Sequence, residues 1–281
     1  MSEASKELFI SQPGLTTSIR ELETEMGIKI FTRTNKGVVT SNEGERFLGY
    51  ARQVLEQASL LEGVYKSGTK IKQQFCVSTQ HYSFAVNAFV DLIRRFAGEE
   101  YDFSLRETET YEIIDDVAKM KSEIGILYLN SFNKDALMKI IKSKSLTFTE
   151  LFTAKPHVFV STDHPLADKK SVTMEELADY PYLSFEQGEH NSFYYSEEIF
   201  STVGRTKNIR VTDRATLFNL LIGLNGYTVC SGVIDNELNG DNITAIPLDE
   251  EGGMKIGYIE NKKILHSNLA EAYIEALKKH I

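Results

Sequence analysis

The sequence predicts an α/β fold in three stretches: an N-terminal helical head with a β-hairpin, a long single helix, and a C-terminal α/β domain of two lobes. Three observations predict it. Apolar residues recur at helical spacing over residues 15–26, a seven-residue apolar repeat runs through residues 47–65, and from Phe75 onward apolar strand runs alternate with helical stretches. The length agrees, because 281 residues make two domains, or three with a small one.

The head begins with a short helical segment, Ser2 to Phe9, with Ala4 and Leu8 on one face. Ser11-Gln12-Pro13 then supplies an N-cap and a first-turn proline for a second helix. Leu15, Ile19, Leu22 and Met26 form its buried stripe, and Gly27 stops it. The opposite face carries Gln12, Thr16, Thr17 and Arg20, side chains able to reach phosphates and base edges. Two helices joined tightly, the second with a polar face, describe a helix-turn-helix, and equally a plain helical hairpin. The continuation favours the former. Ile28 to Phe31 reads as a strand, Thr32 to Gly37 as a turn with Arg33 and Lys36 placed for phosphate contact, and Val38 to Thr40 as the returning strand of a wing.

Thr40 to Glu43 fits a capping box for the long helix that follows. Phe47, Ala51, Val54, Ala58, Leu61 and Tyr65 make its seam, which suits pairing with a second copy or packing on the chain's own domain. Ser67-Gly68-Thr69 reads as a hinge.

The remainder carries strands at Phe75–Val77, Tyr101–Leu105, Ile124–Leu129, His157–Val160, Tyr182–Phe185, Ile209–Thr212, Tyr227–Cys230 and Met254–Ile259. Helices are expected at Phe84–Phe96, Ile113–Met120, Glu197–Val203, Thr216–Leu224 and Leu269–Lys279, over a parallel sheet. Ligands of such sheets bind at the carboxyl ends of strands, near helix N-termini. Ser78-Thr79-Gln80-His81 stands at such a place, where its polar groups either converge on an anion or cap the following helix. Tyr128, Phe185, Gln187, Thr212 and Thr228 end or follow other strands and are expected around the same cleft.

Charge is distributed unevenly. Residues 1–66 hold 8 basic and 9 acidic side chains, a net of −1, and the remainder is −8. A head of near-zero charge still suits DNA if its cations share a face. No stretch reaches the roughly 18–20 apolar residues of a membrane span, and residues 1–9 contain no apolar signal core, so the chain reads as cytoplasmic. Cys76 and Cys230 read as reduced thiols, with a single disulfide left open. The six histidines form no metal-ligand pattern, and there is no nucleophile elbow, P-loop or dinucleotide fingerprint. No catalytic residue, cofactor or metal is expected.

Leu8-Phe9-Ile10-Ser11-Gln12-Pro13, with Leu15, Ile19, Glu21-Leu22-Glu23, Gly27, Phe31, Arg33-Thr34, Gly37, Thr40 and Gly44-Glu45, resembles the winged-helix head of LysR-type regulators. The resemblance implies that Ser11, Gln12, Pro13, Thr16, Thr17 and Arg20 lie on a DNA-recognition helix and that Arg33 is a wing residue. It implies a first helix ahead of this sequence, so the head is expected to be one helix short, and Thr17 stands where the family often has a basic residue. It further implies dimers through the long helix, paired into tetramers, and a periplasmic-binding-protein-like domain that takes a small-molecule effector between its lobes. The Ser/Thr-Gln loop suits a small anion or carboxylate there. The expected domains are a winged helix-turn-helix head at 1–40, a linker helix and hinge at 41–68, and an effector domain at 69–281, with lobe I at 74–155 and 250–281 and lobe II at 156–249. A solute-binding protein without DNA function, or a small-molecule enzyme, would leave the head motif unexplained.

Overall fold

A computed structural model describes residues 2–34, 37–66, 73–96, 98, 100–234 and 240–281. The chain divides into two compact units, residues 1–71 and 72–281. Lys36 and the expected hinge at 67–69 lie outside the described residues, as do the side chains of Arg33, Leu61 and Tyr65.

The first unit opens with α1 (Ser2–Glu7) and α2 (Gln12–Met26), joined through Phe9 in a left-handed conformation, φ 55°. Ser11 caps α2 by accepting the Gly14 N–H at 3.2 Å, and Gly27, at φ 68°, ends it by turning its N–H back onto Thr24. The expected stripe is only half covered: Leu15, Ile19 and Leu22 are partly buried, while Met26 and Leu8 are exposed. The hairpin comprises β1 (Phe31–Thr34) and β2 (Gly37–Thr40), paired antiparallel. Thr32, Arg33 and Thr34 are therefore strand rather than turn, and Ile28 to Ile30 are a bracket rather than strand.

Glu23 makes that bracket. Its buried carboxylate accepts the N–H groups of Ile30 at 2.8 Å and Phe31 at 3.0 Å and meets the Lys29 ammonium at 3.0 Å. The Phe31 N–H and Lys29 hold its pKa below the usual carboxylate range. The long helix α3 (Asn42–Lys66) is capped by Ser41, whose Oγ accepts the Gly44 N–H at 2.9 Å, in place of the expected Thr40. Ser41 also bonds back to Lys29 and Ile30, so the cap is displaced by one residue because it also ties α3 to the bracket. Gly44 sits so close to this turn that a Cβ would stand 2.2 Å from the Ile30 carbonyl oxygen.

The second unit contains β3 (Gln73–Thr79), α4 (Ser83–Phe96), β4 (Tyr101–Glu107), α5 (Thr110–Ala118), β5 (Ile124–Leu129), α6 (Lys134–Ser143) and β6 (Leu146–Ala154). It continues through β7 (His157–Ser161), β8 (Tyr182–Phe185), β9 (Asn208–Val211), α7 (Arg214–Leu224), β10 (Thr228–Cys230), β11 (Ile243–Pro247), β12 (Met254–Asn261) and α8 (Asn268–Leu277). One sheet has the order β4-β3-β5-β12-β6, and β3, β4 and β5 run parallel. The late strand β12 is antiparallel to both β5 and β6, so the sheet is mixed. The other lobe pairs β10-β7-β11 antiparallel and β8-β9 parallel, joined by a bridge from Tyr182 to Tyr227. The chain crosses between lobes at residues 155–156 and again at 248–253. Glu197–Val203, expected as a helix, is a series of turns with Phe200 at φ 63°. One apolar cluster runs through both lobes, from Phe75, Phe84 and Tyr273 to Val158, Tyr182 and Tyr227.

Two glycines of α3 give opposite expectations. Gly44→Ala forces a methyl against the Ile30 carbonyl and destabilises the first unit by about 1–3 kcal/mol. Gly49→Ala meets nothing within 4 Å and stabilises by about 0.5–1 kcal/mol through helix propensity. Thermal unfolding of the full chain by circular dichroism reads both, and shifts of the same sign would contradict the contact.

Candidate functional site

Two places collect the residues singled out by the sequence, one in each unit. In the first unit Ser11, Gln12, Pro13, Thr17 and Arg20 are exposed on the N-terminal half of α2. Thr16 is half-buried and donates its hydroxyl to the Gln12 carbonyl at 2.9 Å. The first turn of α2 contains no acidic residue, which leaves the positive end of its dipole open to anions. Thr16 and Arg20 line a groove with Lys29, Thr32 and Val38 of the bracket and hairpin.

In the second unit the expected cluster divides. Ser78, Thr79 and Gln80 are 0% exposed, and each is satisfied inside the fold. Ser78 donates to Asp116 at 2.8 Å and meets Ser122 at 2.8 Å. Thr79 donates to the Gln80 carbonyl at 2.7 Å. Gln80 donates to Thr110 Oγ1 at 2.6 Å and accepts from the Tyr82 hydroxyl and the Tyr128 N–H, each at 3.0 Å. Tyr128 is buried in the core, and Thr212 is exposed beside Asp213, which caps α7.

His81 is the first residue after β3 whose side chain reaches the space between the lobes. Its ring stacks on Phe185, centroids 3.7 Å apart and planes within 3°. Its backbone N–H donates to Glu197 at 3.0 Å, and Nδ1 lies 2.9 Å from the same carboxylate. A carboxylate offers no proton, so Nδ1 carries the hydrogen. Gln187 completes the arrangement, donating from Nε2 to Glu197 at 3.1 Å while its Oε1 accepts the Thr110 N–H at 3.0 Å. Thr110 also donates to the Tyr195 carbonyl at 2.7 Å, and Arg214 pairs with Glu107 across the same gap.

His81, Phe185, Glu197 and Arg214 border a pocket whose free cavity is about 40 Å³, room for water but well below the roughly 300–1,000 Å³ of small-molecule sites. Its walls are mostly apolar, with Phe159, Phe185, Leu217, Phe218 and Met254, and its polar groups include Glu198 and Thr228. The buried Thr228 hydroxyl has no protein partner among the described residues. Cys230 lies on the wall as a free thiol held protonated by burial. Glu197, Glu198, Glu107 and Arg214 were missed by sequence reasoning; the adjacent acids inside an aromatic stretch, Tyr194-Tyr195 before and Phe200 after, were the signal.

Burial lifts the Glu198 carboxyl, with Glu197 beside it adding repulsion, to about 8, against the N–H groups of Phe185 and of Glu198 itself and the charge of His81, which favour the anion. Burial pulls His81 down, but the charge and hydrogen bond of Glu197 outweigh it and leave His81 above its ordinary value. Among the described residues no group of three or more His, Cys, Asp and Glu is placed to hold a metal ion. No helix is long and apolar enough to cross a membrane.

Both shifts bind protons more tightly in the folded state, so both stabilise at low pH. The His81 contribution is complete below the unfolded pKa of about 6.5 and is lost as pH rises through the folded value. The Glu198 contribution is likewise lost as pH rises from about 4.5 to about 8. Thermal stability should fall across this range, and Glu198→Gln should flatten the fall by an amount on the order of a few kcal/mol. An unchanged profile of melting temperature against pH would place Glu198 outside this account.

Residues 77–281 match a family model described as the LysR substrate binding domain, and residues 1–45 match the bacterial regulatory helix-turn-helix protein, lysR family. The chain is 28% identical over 192 residues to the HTH-type transcriptional regulator CysB of Burkholderia cenocepacia, covering 66% of this chain and 58% of that protein. It is 28% identical over 193 residues to the uncharacterized HTH-type transcriptional regulator YybE of Bacillus subtilis, covering 67% and 62%. The match thus spans about three fifths of these relatives' length. Among solved structures, HinK, a LysR family transcriptional regulator from Pseudomonas aeruginosa, superposes with TM-score 0.50 at 18% identity, covering 99% of this chain and 92% of that one. Full-length BenM gives 0.50 at 20%, covering 99% and 90%. At these identities the structural likeness speaks for the fold.

Proposed function

Since the chain belongs to the LysR family, matched over residues 1–45 and 77–281, we propose that it is a DNA-binding transcription regulator whose promoter binding is modulated by a small molecule held between the lobes of its second unit. The observation that carries this reading is the presence on one chain of a helix-turn-helix with an exposed polar face and a small pocket between two lobes. A solute-binding protein without DNA function would leave the first unit idle.

The recognition surface is the N-terminal half of α2: Ser11, Gln12, Pro13, Thr16, Thr17 and Arg20, with Arg33 and Lys36 of the wing as phosphate contacts. The long helix α3 pairs with a second copy, a reading supported by Tyr50, Val54 and Leu55 being 67–68% exposed on it. Two such dimers form the tetramer, and the protein works in the cytoplasm with its DNA.

The effector is a small anion or carboxylate. Donors at His81 and Gln187 support this, because they are arranged around a carboxylate already. Phe185 and Thr228 provide the adjoining wall and an open hydroxyl, and Ser78, Thr79, Gln80 and Tyr128 fix the loop from behind. We assign Thr212, exposed beside the α7 cap Asp213, to the rim. Effector binding shifts the lobes between two arrangements, and the difference passes to α3 and the head.

A mobility-shift assay on a DNA fragment from upstream of the protein's own gene tests this. Arg20→Ala should weaken binding by about 1–3 kcal/mol, roughly 5- to 150-fold. A carboxylate or oxyanion that raises the melting temperature of the full chain should also change affinity or footprint. DNA binding indifferent to every such ligand would sink the regulatory reading.

A further inference from the structure

The space between the lobes contains a carboxylate, and it belongs to the chain. Glu197 is 5% exposed and receives the His81 N–H at 3.0 Å, His81 Nδ1 at 2.9 Å and Gln187 Nε2 at 3.1 Å. Two of these donors come from the loop between β3 and α4, in the lobe that does not contain Glu197. The third is fixed from behind by Thr110. Nothing in this set of donors is peculiar to a side chain, since any small free carboxylate presented to them would receive the same three bonds.

Charge decides whether a ligand anion joins Glu197 or replaces it. Among the described charged residues that line the pocket, Arg214 is already committed to Glu107 and His81 to Glu197 itself. Glu198, held neutral by burial, supplies no counter-charge. A further anion placed beside these carboxylates would be buried without a counter-charge, which is strongly unfavourable. Replacement conserves the charge and every hydrogen bond.

We infer that Glu197 is an internal stand-in for an acidic ligand: its carboxylate fills the seat of the effector's carboxylate, and an anionic effector binds by displacing it. The inference rests on the reading that the interlobe pocket is the effector site. It adds that affinity is set by competition with a tethered group, and that displacement releases the turns at 196–203 that Glu197 now anchors.

Glu197→Ala removes, in outline, one acetate. The variant should melt lower than the wild type. Acetate, at constant ionic strength against chloride, should raise its melting temperature by about 2–4 °C or more, with a much smaller shift in the wild type. Acetamide, of the same shape without the charge, should restore little, and Glu198→Ala, whose acid lacks this donor set, should not respond. Equal acetate shifts in Glu197→Ala and wild type, or equal rescue by acetamide, would overturn the inference. If Glu197→Ala lacks a cooperative transition, Glu197→Ser keeps a polar group and leaves room for acetate, and the same comparison decides. Rescue by acetate with DNA binding insensitive to all anions would retain the stand-in and remove the regulatory reading. Ligand-sensitive DNA binding without rescue would do the reverse.

Discussion

Burying an ion between two packed lobes costs several kcal/mol unless hydrogen-bond donors meet it, and the Glu197 carboxylate has three donors, drawn from both sides. The requirement propagates outward. Gln187 serves Glu197 only while Thr110 fixes its amide, and Thr110 in turn holds Gln80 and the Tyr195 carbonyl. His81 presents its N–H and Nδ1 together only because Phe185 lies flat beneath its ring. Gln80, locked to Tyr82 and to the backbone of Tyr128, sets where the loop leaves the sheet. The arrangement of the two lobes therefore answers to one carboxylate and a chain of neutral groups that orient its donors.

The first unit uses the same device on a smaller scale. Glu23 accepts two backbone N–H groups that no helix or strand would satisfy, and so sets the angle at which α2 hands over to the hairpin. Ser41 and Gly44 complete the joint from the other side, one by capping and one by being small. In both units an acid outside any apolar pattern determines geometry that apolar packing alone leaves loose, which agrees with the half-covered stripe of α2.

Periodicity made much of the fold legible in the sequence. The strands at Ile124–Leu129 and Tyr182–Phe185 stand where their apolar runs begin and end, the first of them buried at every position. The strand β6 was not legible: a bulge opposite Ile256 and Gly257 breaks its alternation, and Glu150 falls inside it. The short β11 ends at Pro247 on a sheet edge, and the amphipathic α6 passed unnoticed between stronger signals. The turns at 197–203 carry apolar spacing like a helix, but Phe200 within them is left-handed, at φ 63°, which a helix does not accommodate. The pocket was legible as a region rather than as a list. Polar groups at a strand's carboxyl end have two destinations, a ligand or the inner bonding of the sheet, and spacing does not separate them. Ser78, Thr79 and Gln80 took the second, while His81 faces the pocket and bonds to Glu197.

The apolar cluster that passes unbroken from one lobe to the other has a consequence for tempo. Two lobes that met only across a wet cleft would swing apart freely, and a small molecule would come and go as fast as diffusion allows. Here a wide swing would strip Tyr82, Tyr182 and Tyr227 of their neighbours and expose a continuous oily seam to water. Exchange must instead wait for brief, partial loosening of the pocket wall. On the proposed reading, a guest admitted this way would leave slowly, and the protein would average the supply of that guest over its residence time.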